Sequence, residues 1–161
     1  PVSAMGAHVS VCPNHTVGRT TPFETRGDVA LLGTFGYELD ITKLSAEEKE
    51  QVKEQVRKYH KYNDLIREGD YYRLESASDN GFYDSWMIVE KDKSRALLFY
   101  VQMLARANTK SRFVRLAGLD SGKRYAVDGK EYAGGTLMKA GLRIPSEFGD
   151  FKSRLIEIAE V

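Results

Sequence analysis

Cysteine is almost absent. Cys12 is the only one among 161 residues, so no disulfide can form within the chain, and a reducing, cytoplasmic setting is expected. Net charge is nearly absent too: a formal +1, with the basic residues spread along the chain, gives no electrostatic basis for binding nucleic acid or an anionic membrane. No apolar run approaches the ~20 residues that cross a bilayer; the longest, residues 96–101, is strand-sized. The first residues lack the charged-then-apolar design of a signal peptide. The chain starts at Pro1 rather than methionine, which reads as a cut, processed or truncated polypeptide. No internal repeat and no low-complexity segment is present.

The chemical texture changes near Gly69. Before it, residues 5–12 read as a short buried strand stopped by Pro13-Asn14. A helix follows, with Thr21 as cap, Pro22 at its first position and Glu24 completing a capping box. Val29, Leu31 and Leu32 supply its apolar side, and the Gly33 to Gly36 region ends it. A second capping box, Ser45 to Glu48, starts a helix over residues 46–68, ~33 Å long at 1.5 Å per residue. Val52, Val56, Tyr59, Leu65 and Ile66 keep helical spacing along it, and Gly69 closes it.

After Gly69 the pattern alternates with period 2. Strands are expected over 71–76, 85–90, 96–104, 113–116, 124–127 and 151–158, with Asp128-Gly129 as the best hairpin signal. Residues 137–142 read as a short helical turn. Regularly spaced short strands of this kind predict an antiparallel β-sandwich. The fold class is α+β: a β/α unit, a long helix, and a β domain.

Candidate chemistry is thin. His8, Cys12 and His15 form the only metal-like group, and His60 sits on a distant helix face, so no metal site and no cofactor is expected. Glu47-Glu48 is explained by the helix dipole and Asp128 by turn chemistry, which leaves no acid with a catalytic setting. Tyr71, Tyr72, Phe82, Tyr83, Trp86, Phe99, Tyr100 and Tyr132 offer a sugar-stacking platform, but strand aromatics are better explained by core packing.

The ordered set of motifs is more specific than any one of them. Met5-Gly6-Ala7-His8-Val9-Ser10, Pro13-Asn14-His15, Gly18-Arg19, Thr21-Pro22-Phe23-Glu24-Thr25-Arg26-Gly27 and Thr34-Phe35-Gly36-Tyr37-Glu38-Leu39-Asp40 follow one another at near-fixed spacing. Gly69-Asp70-Tyr71-Tyr72-Arg73-Leu74, the Trp86 strand, Gly118-Leu119-Asp120 with Tyr125, Tyr132-Ala133-Gly134 and residues 138–142 continue the series. Together they resemble the carboxy-terminal end of bacterial α-galactosidases of glycoside hydrolase family 36. Cys12, where a small aliphatic residue is usual, and Thr16-Val17 depart from that pattern.

The resemblance implies that residues 1–68 are the last β/α unit of a catalytic (β/α)8 barrel plus its long helix. Residues 69–161 would be the carboxy-terminal β-sandwich. It implies a parent enzyme that releases terminal α-linked galactose from oligosaccharides of the melibiose and raffinose type with retention of configuration. The work would fall to two aspartates whose carboxyls lie ~5 Å apart. In the family the nucleophile lies in a Lys-Trp-Asp stretch, which does not occur here, and the acid/base lies just before the Met5 passage. No catalytic residue is therefore expected in this chain, and alone it should be inactive. Function in such barrels sits at the carboxy ends of strands, which makes His8, Asn14, His15 and Arg19 the candidates for substrate contact or support. The expected partners are an α-galactoside, the missing amino-terminal and barrel portions, and further copies of the parent in a homo-oligomer. A non-catalytic carbohydrate-binding or oligomerisation module is the alternative.

Overall fold

Strand β1 (Gly6–Ser10) alternates a buried Val9 with half-open neighbours and pairs in parallel with β2 (Thr34–Glu38), placing His8 beside Gly36 and Ser10 beside Glu38. The structure is a computed structural model and describes residues 4–109 and 111–161; Pro1 lies outside the described residues. Two compact units divide after Arg67.

In the first unit, helix α1 (Phe23–Ala30) connects the two parallel strands, and a 3-10 turn at Ile41–Lys43 leads into α2 (Ala46–Glu68). Val9, Phe23 and Ala30 form the small core, with Ala7, Phe35, Tyr37, Leu39, Leu44 and Val52 packed against it. The capping box of α2 is realised: Glu48 N–H donates to Ser45 Oγ at 3.1 Å, and Ser45 N–H to Glu48 Oε2 at 2.9 Å. The box expected for α1 is not. That helix is capped by Pro22 with no side-chain bond, and the Thr21 carbonyl is taken by Arg26 instead.

Three further differences follow from tertiary contacts. Residues 34–38 form a strand where the two glycines suggested only a helix end; Thr34 N–H and Oγ1 both donate to Met5 O, at 2.8 and 3.1 Å. Val29, read as part of the apolar side of α1, is 43% exposed, while Thr25, Gly27 and Asp28 are buried. The buried polar face is matched by α2, through Gln55 to Phe23 O at 2.9 Å and Lys58 to Asp28 at 3.0 Å. Gly69 follows α2 without a left-handed φ, so it is not the expected glycine cap.

The second unit contains a six-stranded antiparallel sheet in the order β3 (Asp70–Glu75), β4 (Tyr83–Val89), β5 (Arg95–Gln102), β10 (Lys152–Glu160), β7 (Arg124–Val127), β8 (Lys130–Ala133). The four-residue helix α3 (Ala77–Asn80) precedes β4. Over one face of the sheet lie a ribbon of β6 (Arg112–Val114) and β9 (Leu142–Ile144), and helix α4 (Gly134–Lys139). Tyr83, Met87, Leu98, Tyr100, Tyr125 and Ile158 of the sheet pack there against Val114, Leu116, Leu137 and Ile144. This is the two-layer β arrangement expected, with one layer reduced to a ribbon, a loop and a short helix. The β7–β8 hairpin turns on Asp128 (φ 49°) and Gly129 (φ 74°), the two left-handed residues that a tight hairpin of this hand needs.

The candidate stacking aromatics mostly serve this packing. Tyr83 and Tyr100 are buried in this core with Tyr72, Phe82 and Tyr132 packed against it, while Trp86 and Phe99, on the sheet's other face, stack with ring centroids 5.3 Å apart. Burial pushes the phenols of Tyr37 and Tyr100 up to about 12, and raises that of Tyr83. The same phenols ionise near 10 once unfolded. Between those values the unfolded chain therefore holds fewer protons than the folded one. Stability from these groups is complete below about pH 10 and is lost as pH rises toward 12. The part of the tyrosinate absorbance that comes from these phenols should appear together with the loss of circular dichroism. Tyrosinate appearing fully near pH 10 with the dichroism unchanged would contradict this.

Candidate functional site

The parallel pair has two chemically different faces. Val9, Phe35 and Tyr37 point toward the helices, as a period of two requires. The other face carries Gly6, His8 and Ser10 from β1 with Gly36 and Glu38 from β2. On it, His8 Nε2 lies 2.5 Å from Glu38 Oε2, with both side chains about half exposed or more, at 49% and 72%.

The carboxy ends of both strands open onto two clefts. A cavity of 130 Å³ is lined by Cys12, Asn14, Val17, Arg19, Thr21 and Arg26, among others. A second, of 220 Å³, takes Val11, Cys12 and Arg26 on one side and Leu39, Asp40, Lys43 and Glu48 on the other. Asp40 is among the residues lining the second cleft. Hydrogen bonds from Thr42, from its side chain and then its backbone, hold the Asp40 carboxyl below its ordinary range.

The four sequence candidates do not converge. Asn14 and Arg19 share the smaller cleft, and Asn14 N–H donates to Arg19 O at 2.8 Å. The Asn14 side chain, however, works within its own loop, where Oδ1 accepts from the N–H groups of Thr16 and Val17, each at 3.0 Å. His15 is exposed at the loop tip, and His8 is engaged with Glu38. Among the described residues no three His, Cys, Asp or Glu side chains gather as a metal site. No helix among them is long and apolar enough to cross a membrane.

Sequence reading missed two contributors. Glu38 was hidden because its strand was not recognised, although Phe35, Tyr37 and Leu39 alternate around it. Arg26 acts through backbone carbonyls at Ser10 and Thr21, a role that leaves no trace in composition or spacing.

Comparison with known proteins matches residues 1–69 to the melibiase family model and residues 83–158 to that of the glycosyl hydrolase family 36 C-terminal domain. The chain is 46% identical over its whole length to alpha-galactosidase AgaA of Geobacillus stearothermophilus, of which it spans 22%. It is 44% identical, over 99% of its length, to the bifunctional alpha-galactosidase/sucrose kinase AgaSK of Mediterraneibacter gnavus, of which it spans 18%. The crystal structure of an AgaA variant in complex with raffinose superposes with a TM-score of 0.95 at 46% identity, covering all of this chain and 22% of that one. The alpha-galactosidase from Lactobacillus brevis does so with a TM-score of 0.95 at 37% identity, over all of this chain and 23% of its own.

Proposed function

Because this chain belongs to glycoside hydrolase family 36, we propose that it is the carboxy-terminal part of a retaining α-galactosidase acting on oligosaccharides of the melibiose and raffinose type. The observation that carries this reading is the β1–α1–β2–α2 succession. Its strands run parallel, its helices cover one face, and its clefts lie at the strands' carboxy ends, where (β/α)8 enzymes keep their chemistry. Two parallel strands are a piece of a larger sheet rather than a sheet in themselves. On this reading residues 1–68 close the barrel, and the face bearing His8 and Glu38 turns toward its interior. Residues 69–161 form the β domain that follows.

The nucleophile and the acid/base aspartate lie on other strands of the parent, and Asn14 and Arg19 stand at the rim of its sugar site. The parent is a cytoplasmic homo-oligomer, which fractionation and light scattering check. Assay of the full-length protein and of this chain alone on a chromogenic α-galactoside tests the core of the reading. The parent should turn over and the 161-residue chain should not. Turnover by the chain alone sinks the placing of the aspartates; an inert parent sinks the activity.

A further inference from the structure

We infer that Arg26 is a positioning residue for substrate specificity: it clamps the base of loop 11–21 so that the loop meets the sugar units beyond the scissile galactose. The inference rests on the activity proposed above. The loop leaves β1 at Val11 and returns at Thr21, just ahead of α1. Within this chain residues 15–20 are all exposed, so its own apolar core does not fix their place.

Polar links do. At the tip, Asn14 Oδ1 holds the amides of Thr16 and Val17, and Gly18 N–H donates to Asn14 O at 2.8 Å. At the base, the Arg26 guanidinium donates from Nη1 to Ser10 O at 2.5 Å and from Nε to Thr21 O at 3.1 Å. It lies 4.8 Å from the centre of the Phe23 ring, which fixes its plane. Cys12 Sγ adds a weaker contact to Thr21 O at 3.6 Å.

One rigid fork thus joins the strand end to the chain entering the helix. A lysine ammonium, a single point at the end of a flexible stem, does not reproduce that bridge. The tip is tied within itself, and the Arg26 fork joins its base to the unit. Loss of the clamp lets Asn14 and Arg19 shift together, and a displacement of ~1 Å at a substrate-positioning group can cost up to roughly a hundredfold in rate. With the loop at the rim, as proposed above, the loss falls on the part of the substrate that extends outward.

The test uses the full-length protein carrying Arg26→Ala or Arg26→Lys, assayed on raffinose and on a small chromogenic galactoside. Hydrogen exchange of the amides of residues 14–18 is followed in parallel. With alanine, kcat/KM for raffinose should fall roughly ten- to a hundredfold, chiefly through KM, and severalfold less for the chromogenic substrate. The loop amides should exchange faster while those of β2 do not. Lysine keeps the charge over Phe23 and should recover only part of the raffinose loss, which preserves the test if alanine impairs folding.

Equal losses on both substrates mark a merely structural arginine and overturn the inference, as does raffinose turnover that stays unchanged. Loop exchange unaltered in both variants overturns the clamp whatever the activity. A wild-type parent that cleaves neither substrate instead removes the proposed activity, and is recognised by the unsubstituted protein alone.

Discussion

Alanine in place of Gly134 is expected to destabilise the unit Glu68–Val161 by about 3 kcal/mol, the upper end of ordinary overpacking. A Cβ at this position would lie 2.0 Å from the backbone oxygen of Asp120 and 2.9 Å from Cε2 of Tyr125. Neither neighbour gives way cheaply. The Asp120 carbonyl accepts from Lys123 N–H at 3.3 Å, while the Asp120 amide donates to the Tyr125 hydroxyl at 3.0 Å. That hydroxyl in turn donates to Lys93 O at 2.9 Å, and the Tyr125 side chain is fully buried. Moving the carbonyl therefore breaks a turn, and moving the ring breaks two hydrogen bonds from a single buried atom. Trp86, the only tryptophan, lies in the same unit and reports on it by fluorescence. The urea midpoint should drop with the slope of the transition unchanged. A midpoint equal to that of the unsubstituted chain would show that the loop ahead of Tyr125 yields freely.

Strongly periodic and locally capped segments were legible in the sequence. The long helix over Ala46–Glu68 announced itself through Ser45, Glu48 and an apolar stripe, and the hairpin at Asp128-Gly129 through its two left-handed positions. Both signals depend on residues a few positions apart, which is the range over which sequence pattern and backbone geometry are coupled. Strand β2 was lost because Gly33 and Gly36 look like helix terminators. Its alternation of Phe35 and Tyr37 spans only five residues, too short to outweigh them. The face of α1 was misread for a different reason. Its buried residues include Thr25, Gly27 and Asp28, and α2 meets that face with Gln55 against Gly27 and Lys58 paired with Asp28. No window on α1 alone contains that information. The candidate site divides in the same way. Asn14 became a candidate because the resemblance places function at the carboxy end of the first strand, where Pro13-Asn14 stops it, whereas Arg26 bonds to Ser10, sixteen residues away, through an atom every residue possesses.

The helix contact that hid α1 yields the second large effect, and its sign is diagnostic. In an exposed helix, glycine to alanine stabilises by up to ~1 kcal/mol. Here Gly27→Ala is expected to destabilise by about 2 to 3 kcal/mol, because the added methyl must displace a buried, hydrogen-bonded amide. The Cβ would meet Gln55 Cδ and Nε2 at 2.3 Å and Cγ at 2.8 Å. Gln55 is 4% exposed, donates to Phe23 O at 2.9 Å and accepts from the Tyr37 hydroxyl at 2.9 Å. Swinging it aside breaks the amide's bond to Phe23 O and leaves the half-buried Tyr37 hydroxyl only its longer contact to Val52 O at 3.5 Å.

The double variant separates steric conflict from helix propensity. In a Gln55→Ala background the space is open, so adding Gly27→Ala should cost less than ~0.5 kcal/mol or even stabilise, a coupling of about 2 kcal/mol between the two positions. Exchange rates of the α1 and α2 amides measure each step of the cycle within this unit. Additive effects would show that the helices are held together by other contacts, with Lys58 and Asp28 at 3.0 Å the next to examine. A coupled result ties two scales together. Gly27 follows Arg26 directly in the chain, so the close approach that admits Gln55 also fixes the helix turn from which the guanidinium reaches Ser10 and Thr21. The packing of α1 on α2 and the placing of the rim loop then depend on the same missing methyl group.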